Sequence, residues 1–215
     1  MYKEITNQEK ARIPLEELLN RYPALAACRD DIQAAFQAIV QCYMQKGKLL
    51  VCGNGGSAAD ADHIVGELMK GFYKRRPLAE EEAHLFGELA GKLQGAMPAI
   101  ALTQHTELST AYLNDVDASM VFAQQVYGYG NRGDVLLAIS TSGNSDNVCK
   151  AVQVANVKKM VTIGLTGAAG GKISGLCRHC ICVPETETAR VQELHLPVYH
   201  AICEMVEQYF FNEPC

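Results

Sequence analysis

The chain of 215 residues is 48% hydrophobic, enough for one sizeable core and too short for two generous domains. Its net charge of −5 is spread without long acidic or basic blocks, which argues against a nucleic-acid surface and an anionic membrane face. The opening MYKEITNQEKARIPLEELL is too polar for a secretory signal, and no apolar run approaches the roughly 18 residues of a membrane span, so a cytoplasmic protein is expected.

Amphipathic spacing predicts helices over roughly residues 3–20 and 29–46, the second with Ile32, Ala35, Phe36, Ile39, Val40 and Tyr43 at helical intervals. The pattern then changes to apolar runs of strand length: KLLVC (48–52), AIALT (99–103), DVLLAIS (134–140), MVTIGLT (160–166) and the shorter CICV (180–183). Helical segments separate them. Near-continuous apolar strands alternating with helices mark a parallel sheet covered on both faces, hence a doubly wound α/β domain. Ligands of such a sheet lie beyond the carboxyl ends of its strands. A final helix is expected over roughly residues 188–211, with Val191, Leu194, Val198, Ile202, Met205 and Val206 on its apolar side and a kink at Pro197. No repeat or low-complexity linker marks a boundary, so residues 1–215 read as one domain.

Nine cysteines is an odd count in a chain that is not small, and several lie in apolar patterns such as LLVCGN and HAICEMVE; reduced thiols are expected. Cys177, Cys180 and Cys182 have CxxC spacing at one end, but RHCICVP alternates like a strand and no second CxxC completes a zinc set. They read as core cysteines.

Two strand-to-helix turns are rich in glycine and serine. In KLLVCGNGGSAAD a strand ends in Gly53, Asn54, Gly55 and Gly56, with Ser57 where a helix would start. Such a turn either cradles an anion on free amides at a helix N-terminus or is a tight turn with a serine cap. It matches neither GxGxxG nor the P-loop, so no nucleotide cofactor is implied. In LLAISTSGNSDNV, Ser140, Thr141, Ser142, Gly143, Asn144 and Ser145 precede the next helix, more hydroxyls than capping alone would use. The two turns together point to a phosphorylated small molecule. Beyond the first, His63 and Glu67 stand at i and i+4 on one helix face, as a solvated pair or as acid–base groups beside the ligand.

The segments CGNGGSAADADH, GDVLLAISTSGNSDNV, LTGAAGGK and ARVQELH resemble the sugar isomerase (SIS) domain family, and within it the phosphoheptose isomerases. That resemblance implies a flavodoxin-like sheet, a homotetramer with active sites at subunit interfaces, and conversion of sedoheptulose 7-phosphate to an aldose phosphate through an enediol. The alternative within the family is a non-catalytic protein that binds a sugar phosphate or a partner such as the replication initiator. By resemblance, Ser140, Thr141, Ser142 and Ser145 hold phosphate, and Asn54, Gly55 and Ser57 contact the sugar. Glu67 shuttles the proton and His200 is the acid, a division that suits an aldose–ketose exchange. Zinc is expected on His63, Glu67, Gln192 and His200, with Glu67 and Gln192 also touching substrate; the types suit that metal, although Gln192 and His200 are separated by about 12 Å of helical rise.

Two departures stand out. Phosphoheptose isomerases commonly carry a serine–aspartate pair after the second strand that contacts substrate, and here Thr103 and Gln104 match it. An amide in place of a carboxylate keeps hydrogen bonding and removes a charge, which leaves the identity of the sugar, more than the reaction type, open. The second is an inserted segment over 78–97, with Leu85, Phe86, Leu89 and Leu93 as a short apolar stripe, expected to form an extra helix near the site.

Overall fold

The computed structural model describes residues 6–211, so residues 3–5 of the first expected helix lie outside it. That helix divides into α1 (Asn7–Lys10), closed by a Thr6/Glu9 capping box, and α2 (Ile13–Arg21), which restarts with Pro14 in its first turn, where a missing N–H costs nothing. Then come α3 (Arg29–Met44), β1 (Leu49–Cys52), α4 (Gly56–Met69), α5 (Glu80–Phe86), β2 (Ala99–Ala101), α6 (Thr106–Asp115) and α7 (Val121–Tyr129). The second half holds β3 (Val135–Ile139), α8 (Asp146–Val157), β4 (Val161–Gly167), α9 (Gly171–Leu176), β5 (His179–Val183) and α10 (Thr188–Phe210).

All five strands are parallel, in the order β2-β1-β3-β4-β5, as expected for a doubly wound sheet. Alternate side chains feed two cores. Leu49, Val51, Leu137, Ile139, Leu165 and Ile181 pack with apolar residues of α2, α3, α4 and α10, while Leu50, Cys52, Leu136 and Ala138 pack with those of α7 and α8. Burial on both faces is why these strands read as unbroken apolar runs. The chain order reverses between β1 and β3, and the two glycine–serine turns leave the carboxyl ends of those two strands.

Helix α10 continues through Pro197 as one element. The insertion is less regular than a single helix: α5 ends where Gly87 takes φ +54°, and a 3-10 stretch, Gly87–Lys92, follows. Its stripe stays exposed, with Leu85 at 84% and Leu89 at 62%. Along β5, Ile181 and Val183 are buried, and Cys180 and Cys182 turn to the other face with their sulfurs 3.8 Å apart. Burial pushes the Cys177 thiol up to about 12, away from the thiolate that metal binding needs. No helix among the described residues is long and apolar enough to cross a membrane.

One buried ion pair joins α4 to α10. Arg76 and Glu207 are 1% and 0% exposed. The Glu207 carboxylate accepts from Arg76 Nε (2.8 Å) and from the main-chain N–H of Phe72 and Tyr73 (2.8 and 2.7 Å). Arg76 donates onward to the carbonyls of Leu68 (2.6 Å) and Glu67 (3.0 Å), closing the carboxyl end of α4. Breaking such a pair from one side leaves a buried charge unmatched. Glu207→Gln should therefore cost about 3–5 kcal/mol of unfolding free energy in urea denaturation. A neutral result would show that the pair holds nothing.

His195 of α10 is fully buried, and neither ring nitrogen has a hydrogen-bond partner among the described side-chain contacts. Burial draws its pKa down from 6.5 to about 4, against a weaker opposing contact with the Thr166 main chain. The folded state thus binds its proton less readily than the unfolded chain, so the stability is complete above pH 6.5 and is lost as pH falls toward 4. Between pH 7 and 5 this group alone should remove about 2 kcal/mol. Urea denaturation at the two pH values should show that loss shrinking in His195→Gln, and an identical pH dependence in the variant would refute it.

Candidate active site

At the end of β1 the chain turns through Gly53, Asn54 and Gly55 into α4. Gly55 takes φ +56°, a conformation that favours glycine, and is itself the residue before the helix. Ser57 is not the helix cap: it lies inside the first turn, 3% exposed, against Gly53. No side chain caps α4; the Ser57 and Ala58 N–H groups donate to the Asn54 and Gly55 carbonyls (3.0 Å each), so what the helix opening offers an anion is the positive end of its dipole. Above Gly55 there is open space, since a Cβ built there meets nothing within 4 Å.

The second turn sits beside the first, tied to it by a reciprocal pair in which the Asn54 and Asn147 amides each donate to the other (2.8 and 2.9 Å). Ser140 and Ser145 face one another, hydroxyl to hydroxyl, at 3.0 Å, and the Ser142 hydroxyl accepts from the Asn144 N–H at 3.2 Å. Ser145 precedes α8 without capping it through its side chain. Hydroxyls and amides thus gather at a helix start with only weak internal closure, an arrangement suited to phosphate oxygens.

Helix α4 carries the titratable groups along the flank that meets α10. His63 Nε2 is 3.1 Å from Glu67 Oε1 and 3.4 Å from His200 Nε2. His63 Nδ1 is 3.1 Å from the Tyr199 hydroxyl, which also hydrogen-bonds Asp60. If the hydroxyl donates to the Asp60 carboxylate, the His63 Nδ1–H donates to the Tyr199 oxygen, and the Nε2 lone pair then points at Glu67. Two acceptors face each other there, so the spot calls for a proton or a cation. Burial, then His63, lowers the His200 pKa while Glu67 opposes them, which keeps its ring neutral at pH 7. Burial also raises the carboxyl of Asp60, whose Oδ2 is enclosed without a partner. Lys70 Nζ holds the other oxygen of Glu67 at 3.2 Å.

The sequence expectations therefore divide. Glu67, His63 and His200 come together. Gln192 does not join them: its amide lies against Gly56 at the opening of α4, two turns from His63. As a test for zinc, the imidazole and carboxylate donors around His63 Nε2 are of the right type and leave a place for positive charge. They are not a closed set, since no three His, Cys, Asp or Glu side chains among the described residues form a ready cation cluster. Thr103 and Gln104 lie at the end of β2, where the Thr103 hydroxyl and the Gln104 amide both donate to the carboxylate of Asp62 on α4. Asp60, Asp62, Lys70 and Tyr199 escaped the sequence reading. Asp60 had a signal, because it shares the flank of His63 and Glu67 at three- and four-residue intervals; the Asp62 contacts, 41 and 42 residues apart, had none.

The SIS domain model matches residues 16–97 and 78–167. A phosphoheptose isomerase of Aneurinibacillus thermoaerophilus is 42% identical over 180 residues, covering 84% of this chain and 81% of that protein. Among solved structures, the phosphoheptose isomerase of Neisseria gonorrhoeae superposes with a TM-score of 0.71 at 37% identity, over 94% of this chain and 99% of that one. The Francisella tularensis enzyme of the same name gives a TM-score of 0.75 at 33% identity, over 90% and 94%. Matching extends across both glycine–serine turns and, in the structures, over nearly the whole fold; the chain belongs to the phosphoheptose isomerase family of SIS-domain proteins.

Proposed function

We propose that the chain isomerises sedoheptulose 7-phosphate to a heptose 7-phosphate by proton transfer through an enediol. The observation that carries this reading is the meeting of Glu67, His63 and His200 on α4 and α10 in a fold whose cradle suits phosphate. Phosphate is held by Ser140, Thr141, Ser142 and Ser145 with the amides opening α8, and Asn54, Gly55 and Ser57 form the floor beneath the sugar. Gln192, beside Gly56, and the Thr103–Gln104 pair add polar contacts.

In the open-chain ketose, Glu67 removes a proton from C1. The electron pair forms the C1=C2 bond while the C2 oxygen takes a proton from His200. Return of the first proton from Glu67 to C2, with the C1 hydroxyl proton passing to His200, leaves the C1 aldehyde and restores both side chains. A neutral imidazole is a competent partner, since its N–H can polarise a carbonyl oxygen. The Lys70 ammonium on Glu67 is 60% exposed, free to withdraw as the carboxylate turns toward carbon.

Zinc is part of the proposal, held by His63, Glu67 and His200, whose donors meet where the Gln192 amide does not. When bound it would supply Lewis-acid polarisation of the sugar oxygens. A homotetramer is proposed as well, supported by α6, which buries none of its residues and leaves Leu113 60% exposed. The eight described cysteines are free, in keeping with a reducing cytoplasm.

Glu67→Gln keeps size and hydrogen bonding but removes the basic oxygen. Turnover of sedoheptulose 7-phosphate, followed by NMR, should fall roughly hundredfold to ten-thousandfold, with affinity for the sugar phosphate changing far less. His200→Ala should also slow turnover, and the double variant should lose less than the product of the two effects. Undiminished turnover in Glu67→Gln would end the mechanism.

Metal analysis of the purified protein should find zinc that is released by His63→Ala and retained by Cys180→Ser. Zinc that survives the first change and is lost with the second would move the site to the thiols of β5.

A further inference from the structure

Three strand ends stand in a row at the ligand edge of the sheet. Register places Thr103 after β2, Gly53 after β1 and Ser140 after β3 within a residue of the same level. Neighbouring parallel strands lie about 4.8 Å apart, so the outer two ends are about 10 Å from one another. A phosphate on Ser140–Ser145 leaves the rest of an extended sugar chain long enough to cross the open Gly55 turn and reach the end of β2.

What meets it there is not only the amide that the sequence shows. The Thr103 hydroxyl and one N–H of the Gln104 amide are directed onto Asp62, one onto each carboxylate oxygen. Each oxygen keeps a second lone pair. The group is fixed from two sides yet partly open, since Asp62 and Thr103 are half-buried and Gln104 is exposed. Asp62 precedes His63 on α4 by one residue, about 100° around the helix, so it serves the β2 side while His63 serves α10.

We propose that Asp62 is a specificity-determining residue, its clamped carboxylate accepting hydrogen bonds from sugar hydroxyls at the far end of the substrate from the phosphate. This rests on the sugar-phosphate reading above. The site then carries a negative charge although its strand-end residues are neutral, and the ligand it selects is a polyol with hydroxyls at that distance. The charge removed by Gln104 is returned from α4.

Calorimetry with sedoheptulose 7-phosphate, fructose 6-phosphate, ribulose 5-phosphate and inorganic phosphate tests this. The wild type should bind at least one sugar phosphate more tightly than inorganic phosphate. Asp62→Asn removes the charge and keeps the clasp once the Gln104 amide flips so that its Oε1 accepts from the new NH2, and should weaken sugar-phosphate affinity roughly tenfold to hundredfold, the worth of a hydrogen bond to a charged group. Inorganic phosphate affinity and Tm should stay unchanged. Adding Gln104→Glu to Asp62→Asn moves the carboxylate to the other side of the same clasp and should restore affinity to within a few fold. Unchanged sugar-phosphate affinity in Asp62→Asn, no preference of the wild type over inorganic phosphate, or a loss of Tm and inorganic phosphate affinity in parallel would each overturn the proposal. Sugar phosphate that binds the wild type without being turned over would defeat the isomerase reading alone, because these comparisons are of affinity.

Discussion

Everything at the α4–α10 seam depends on the buried contact between Arg76 and Glu207. Helix α4 brings Glu67 and His63, α10 brings His200, and the two helices are remote in sequence. Arg76 grips the last carbonyls of α4 while Glu207 grips both Arg76 and the chain leaving that helix. A charge pair with no exposed side chain is not the most stabilising way to fill such a space. It is a directional one. Apolar packing would tolerate a slide of one helix past the other, whereas a carboxylate holding three donors has one best position, and the carbonyl it fixes indirectly belongs to Glu67 itself.

Electrostatics divides the site into two regions of opposite demand. At the strand ends, amides opening α4 and α8 favour anions, and nothing acidic is interposed between the two turns apart from Asp146 in the first turn of α8, which pairs with Lys150. Along the seam, Glu67 and the Asp60–Tyr199 pair create a place for positive charge around His63. An enediol forming between these regions gains negative charge near imidazole and ammonium groups.

The sheet was legible from sequence because its central strands are buried on both faces, so β1, β3 and β4 appear as unbroken apolar runs. Strands β1 and β3 were read a residue too long for a physical reason. Asp134 leaves the ladder to accept from the Lys48 N–H and Lys48 Nζ, and Ser140 leaves it to face Ser145. The turn motifs and the His63–Glu67 spacing were legible for the same reason: their partners are close in the chain. The reading of Ser57 as a cap fails because Gly55, with positive φ, is the residue before α4, two positions earlier. What distance in sequence conceals is the Asp62 clasp and the approach of Tyr199 to Asp60, which exist only once the helices are laid on the sheet. The inserted segment gave a true apolar stripe, but no element among the described residues buries Leu85 or Leu89.

The phosphate turn is interlocked with the loop after β4. A Cβ at Gly143 would strike the Gly170 carbonyl, one at Gly171 would strike that of Ser142, and the Ile173 N–H donates to the Gly143 carbonyl at 3.0 Å. Three glycines in positive-φ conformations therefore have to be retained together. Natural variation or directed evolution has little room at the anion end of this protein, and new sugar ranges have to be sought at the β2 end, where side chains meet each other across open space rather than backbone against backbone.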